Sequence, residues 1–261
     1  MNLLILKLAA TPLLVLAATQ LQRRYGGTIG GVFTGLPVTS APLSLFLALE
    51  NGAGFAARAA VGTLLGLIAM AGFCAAYARS ARHLRWGAAL ALAAATSAAL
   101  FIALARLPQR PLPAAALVFP ALLALALLIG RARPAAAPPH PWWDLPARAG
   151  FALAAVVGIT AAAAHLGPTW SGMLATLPIL SAVMGGFTHR HAGAEAARAL
   201  LRGIVVGALG AAAFNLIVAL AVVRLGVAPA YGAAITAALV LAWASHALFE
   251  RGHGASALKL S

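Results

Sequence analysis

Two short stretches place a glycine, a proline and a hydroxyl inside otherwise apolar sequence. One is Gly31-Val-Phe-Thr-Gly-Leu-Pro-Val-Thr-Ser-Ala-Pro42, and the other is Gly172-Met-Leu-Ala-Thr-Leu-Pro-Ile-Leu-Ser-Ala182. Proline has no backbone N–H and displaces the carbonyl four residues before it, so neither stretch forms a regular helix throughout. Carbonyls released near Pro37 and Pro178, together with Thr39, Ser40 and Ser181, suit an ion or a polar substrate near the middle of a membrane. The competing reading is a kinked packing helix whose hydroxyls bond back to their own turn.

The ionisable groups around these stretches are few. Glu50 is a membrane-proximal carboxylate, fit for proton coupling or cation binding, or for capping the next helix and pairing with Arg58. Arg58 and Arg198 each open an apolar helix, and Arg202 follows Arg198 one turn deeper on the same face. Guanidinium groups at that depth donate in pairs to phosphate or carboxylate, unless they snorkel to the interface. Asn215 falls mid-helix, where its amide serves an interhelical bond or a substrate contact. His189-Arg190-His191 reads as a loop cluster rather than a metal site. The candidate substrate-binding set is therefore Pro37, Thr39, Ser40, Glu50, Arg58, Pro178, Ser181, Arg198, Arg202 and Asn215, with no cofactor and no metal.

Composition says what surrounds such a site. The chain is 63% apolar and 8% charged, with a mean hydropathy of +0.96, a balance that a bilayer solvates directly. The expected class is all-α, a polytopic helical membrane protein. Continuous Ala/Leu-rich runs exclude the alternating strands of a membrane barrel. The net charge of +14 comes from bases scattered between apolar runs, which read as topology signals and exclude nucleic acid as a partner. Cys74 alone excludes an intramolecular disulfide. Nucleophile-elbow, phosphate-loop and His-Glu-x-x-His signatures are absent, and four acidic residues give catalysis little to use, so an enzyme is not expected.

The apolar runs predict nine helices, near 3–21, 30–49, 55–77, 86–105, 113–130, 148–166, 170–188, 195–223 and 229–249. Arg131 to Pro146, with five prolines, Trp142 and Trp143, reads as a semi-rigid linker with interfacial anchors. Nine spans put twelve bases on one side and five on the other, omitting Arg202, which predicts a cytoplasmic C-terminus and an external N-terminus. Sixteen arginines among eighteen bases, with abundant alanine, point to a GC-rich bacterial genome and hence a bacterial inner membrane.

A shift of 141 aligns residues 31–73 with 172–214 without a gap, and thirteen of the 43 positions are identical. Composition alone gives roughly five. The expected organisation is a four-helix repeat over 1–110, a linker helix and Pro-rich loop over 111–146, and a second repeat over 147–261. The odd fifth helix inverts the second repeat relative to the first.

The second repeat resembles the small GlpM-like inner-membrane proteins. The resemblance is carried by Ser171-Gly-Met-Leu-Ala-Thr-Leu-Pro178, His189, Arg198 and Gly203, and Glu50 departs from it near the position of the histidine. That resemblance implies a dual-topology four-helix unit, here fused into an inverted pair, and a link to envelope polysaccharide. The expected function is a secondary transporter or flippase for a small anionic or amphiphilic, lipid-like substrate. The alternative is a non-transporting subunit that scaffolds polysaccharide or lipid processing. The expected partners are the lipid bilayer and the substrate, with the chain a monomer or homodimer.

Overall fold

The computed structural model describes residues 27–37, 40–130 and 176–257, together with isolated positions outside them. The described residues are helical, without a strand. In chain order the helices are α1 (Gly27–Gly35), α2 (Ser40–Asn51), α3 (Ala53–Ser80), α4 (Trp86–Leu104), α5 (Pro111–Ile129), α6 (Ile179–Leu225) and α7 (Val227–Ala257). Among them α3, α4, α5 and α6 are long and apolar enough to cross a membrane, and Val227–Leu241 is a shorter apolar helix.

The helix expected over 30–49 is two pieces. Pro37 cannot donate to the carbonyl of Phe33, which takes the Leu36 N–H instead at 3.3 Å, and α1 stops at Gly35. The carbonyl of Pro37 then accepts from Ala41 at 2.8 Å and starts α2. The second stretch shows the same start of a helix after proline. Pro178 precedes α6, and its carbonyl accepts from Ala182 at 2.7 Å.

The separate helices expected over 170–188 and 195–223 are the two arms of α6, 179–192 and 194–225, set apart by the non-helical backbone of Gly193. His189-Arg190-His191, expected in a loop, is helical and closes the first arm. The helices expected over 3–21 and 148–166, and most of the Pro-rich linker, lie outside the described residues.

The core is the pair formed by α3 and the second arm of α6. The most apolar stretch of α3 is 94% buried, against 28% for α4 and 33% for α5. A helix apolar on every side belongs in the centre, whereas α4 and α5 turn Leu92, Ile102, Leu117, Leu123 and Leu127 outward to lipid. Tyr77 and Arg82, at the far end of α3, meet His189 and Glu195, while Ala56 and Ala60 near its start pack with Val218 and Val222. The two central helices therefore run antiparallel, and Gly52 and Gly193 lie at opposite ends of the bundle.

Candidate functional site

Small residues bring α1 onto α6 backbone to backbone. A Cβ on Gly31 would meet the carbonyl oxygen of Leu200, one on Gly35 that of Ile204, and one on Gly207 that of Val32. The Gly31-x-x-x-Gly35 and Gly203-x-x-x-Gly207 ridges thus cross at a distance only glycine permits. Pro37 is buried just beyond this crossing. On the other side of the core, the hydroxyl of Ser181, one turn after Pro178, is hydrogen-bonded with the Cys74 thiol of α3. Each interrupted segment thereby packs on the long helix that belongs to the other half of the chain.

Arg198 is almost fully buried at one end of the bundle, with both terminal nitrogens engaged. Its Nη1 donates to both carboxylate oxygens of Glu195, at 2.7 and 2.9 Å, and its Nη2 donates to the carbonyl of Ile129 at 2.6 Å. Ile129 is the last residue of α5, so this guanidinium caps a helix whose terminal carbonyls have no partner within the helix. Arg82 Nε reaches the same carboxylate at 3.4 Å. The cluster ties together the ends of α3, α5 and the second arm of α6, and its chemistry is that of a structural clamp. Arg202 is buried one turn further in.

The remaining candidates are dispersed. Arg58 is exposed, on the first turns of α3, at the end of the bundle opposite Arg198. Ser40 opens α2 and Glu50 lies in its last turn, while Thr39 falls outside the described residues. Asn215 is buried, but its Nδ2 donates at 2.8 Å to the carbonyl of Ala211, four residues back, so the amide serves its own helix and not a neighbour. The interhelical polar contact on that side is instead Ser44 with Tyr231, hydroxyl to hydroxyl at 2.7 Å. Nothing in the linear pattern marks that pair, because the two residues stand 187 apart.

The sequence reading left His189 and Arg190 as a loop cluster and did not pair them with Arg85 and Trp86. Arg85, Trp86, His189 and Arg190 line an open groove of about 540 Å³ at the Arg198 end of the bundle. Tyr77 shapes it from below, with its hydroxyl 3.3 Å from the carbonyl of Trp86 and 3.3 Å from Nδ1 of His189. Its ring meets the imidazole edge-on at 5.9 Å between centroids. The Arg190 guanidinium carbon lies 5.9 Å from the centre of the Trp86 ring, within cation–π range. Two of the bases scattered along the sequence, Arg85 and Arg190, therefore share one groove, because the turn after α3 and the first arm of α6 fold to the same end. Among the described residues no cluster of three or more His, Cys, Asp or Glu side chains is placed to hold a metal ion.

No protein-family model, no curated protein and no solved structure matches the chain.

Proposed function

We propose that the protein is a secondary transporter or flippase of the bacterial inner membrane, acting on a small anionic or amphiphilic substrate. In this reading the chain is a fused, inverted pair of four-helix units of the GlpM-like kind, nine spans in all, with its C-terminus in the cytoplasm. The observation that carries the proposal is the pair of helix starts after Pro37 and Pro178, with Gly31 and Gly35 against the second arm of α6 and Ser181 against α3. Broken helices at corresponding places in two halves release backbone carbonyls where a substrate crosses, and a boundary of this type hinges readily. Two further features support the inversion. The restart bonds Ala41 to Pro37 and Ala182 to Pro178 stand 141 residues apart, and so do Gly52 and Gly193, at opposite ends of the bundle. Arg202, buried one turn beyond the end clamp, places a cation inside the bundle, which suits an anionic substrate.

The test is reconstitution into liposomes containing a fluorescent, dithionite-reducible phosphatidylglycerol. Wild-type protein is expected to expose the inner-leaflet probe, and Pro37→Ala, Pro178→Ala and Arg202→Gln to slow that exposure. Equal rates in wild type, all three variants and protein-free liposomes would remove the proposal.

A second reading is a scaffold for envelope polysaccharide or lipid processing. It is favoured by the crossing of α1 on α6, which has no spare room at Gly31, Gly35 or Gly207. It predicts that cysteines introduced at 34–40 and 175–181 stay protected from aqueous reagents on both sides. Transport predicts labelling that alternates with substrate.

A further inference from the structure

The geometry points to the Arg85–Trp86–His189–Arg190 groove as a binding site for the phosphate of an anionic membrane lipid. The groove holds two guanidinium groups and an imidazole around one open volume of about 540 Å³, within the ~300–1,000 Å³ span of small-molecule sites. Among the described residues no carboxylate lines the groove. Glu195, four residues beyond His191, is already engaged by Arg198 and Arg82. The imidazole is not a loose surface group, because the Tyr77 hydroxyl and ring hold it in place. Two arginines converging on one space suit a phosphodiester, whose oxygens accept bidentate, charge-assisted bonds. The first turn of α4, which begins at Trp86 with no side-chain cap, turns its amide N–H groups toward the same end.

The position of the groove selects a lipid over a soluble anion. Trp86 opens a helix that is apolar along its whole length and leaves most of its surface outside the bundle. Leu84 and Trp86 are exposed beside the groove and Leu92 further along α4. A phosphate seated between Arg85 and Arg190 therefore leaves its acyl chains lying on a lipid-facing surface, and the tryptophan marks the headgroup level. Nothing in this site depends on transport, since the groove lies at the bundle's end and not at the proline breaks.

The experiment is a titration of detergent-purified protein with phosphatidylglycerol, read by native mass spectrometry, with phosphatidylcholine and inorganic phosphate as separate probes. Wild type is expected to retain phosphatidylglycerol and not phosphatidylcholine, and the Arg85→Gln/Arg190→Gln pair to bind it at least tenfold more weakly. Both side chains are exposed, so folding is checked simply by an unchanged melting temperature. The Arg58→Gln/Arg224→Gln pair removes the same charge at the opposite end and is expected to bind as wild type does. Equal weakening in both pairs would reduce the effect to net charge and overturn the site. Unchanged binding in the Arg85/Arg190 pair would overturn it too. Displacement of the lipid by equimolar inorganic phosphate would overturn the assignment to a lipid. The single variant Arg190→Lys, which keeps charge but loses the planar fork, is expected to weaken binding by an intermediate factor.

Discussion

Gly52 and Gly193, 141 residues apart, hold the same backbone conformation, with φ 84° and ψ 164° in the first and φ 85° and ψ 175° in the second. Each joins a shorter helical segment to one of the two long central helices. This region of φ/ψ space is open to glycine and almost closed to residues with a Cβ. Among the described residues neither position has a neighbour within 4 Å of where a Cβ would sit, so a substitution there reports on backbone strain.

Gly52→Ala and Gly193→Ala are accordingly each expected to destabilise the protein by about 1–3 kcal/mol. Gly232→Ala, in the body of α7 and equally open, is expected to be neutral or to stabilise by up to about 1 kcal/mol. Thermal unfolding in detergent separates the two groups. A neutral Gly193→Ala would show that the kink does not need its positive φ.

The crossing of α1 on α6 yields a sharper contrast. Gly207→Ala drives a methyl into the carbonyl of Val32, and helix backbone cannot yield as a side chain does. A loss of about 3 kcal/mol or more, or failure to purify as a single species, is expected. Gly186→Ala adds the same methyl at another buried glycine with nothing within 4 Å, and it should cost little. Size-exclusion profiles and melting temperatures of the pair, measured together, check the prediction.

At the Arg198 clamp the order of effects follows burial. Arg198→Ala strips the Ile129 carbonyl of its side-chain donor and leaves the Glu195 carboxylate only the longer contact to Arg82, and about 2–3 kcal/mol is expected. Arg82→Ala removes a long, solvent-exposed ion pair and is expected to cost less than about 1 kcal/mol. Denaturation midpoints that place Arg82→Ala at or above Arg198→Ala would contradict the capping role.

Cys74 is fully buried between Met70 and Ser181. It is expected to resist maleimide labelling in native membranes and to react only after unfolding. Wild-type protein then serves as a zero-background template for introduced cysteines. Prompt native labelling would show that the contact between α3 and Ser181 opens.

The sequence by itself determined the all-helical class, and it located α3, α4 and α5 to within a few residues, because long apolar runs bounded by arginine and proline leave a membrane chain little choice. It also determined that Pro37 ends one helix and that Pro178 stands just before another, since a missing N–H is a local, covalent fact. The likeness of 31–73 to 172–214 was legible for the same reason. The positive-φ turn at Gly193 that sets the two arms of α6 apart was not, because glycine in an apolar run signals a kink, a crossing or nothing at all until neighbours are known. Gly31, Gly35 and Gly207 acquired their purpose only from the partner helix they touch. Tertiary structure alone decided that Arg198 caps α5, that Asn215 bonds to its own turn, and that Arg85 and Arg190 share a groove with Trp86 and His189. Those pairings join residues far apart in the chain, and what a charged side chain does is set by what folding places opposite it.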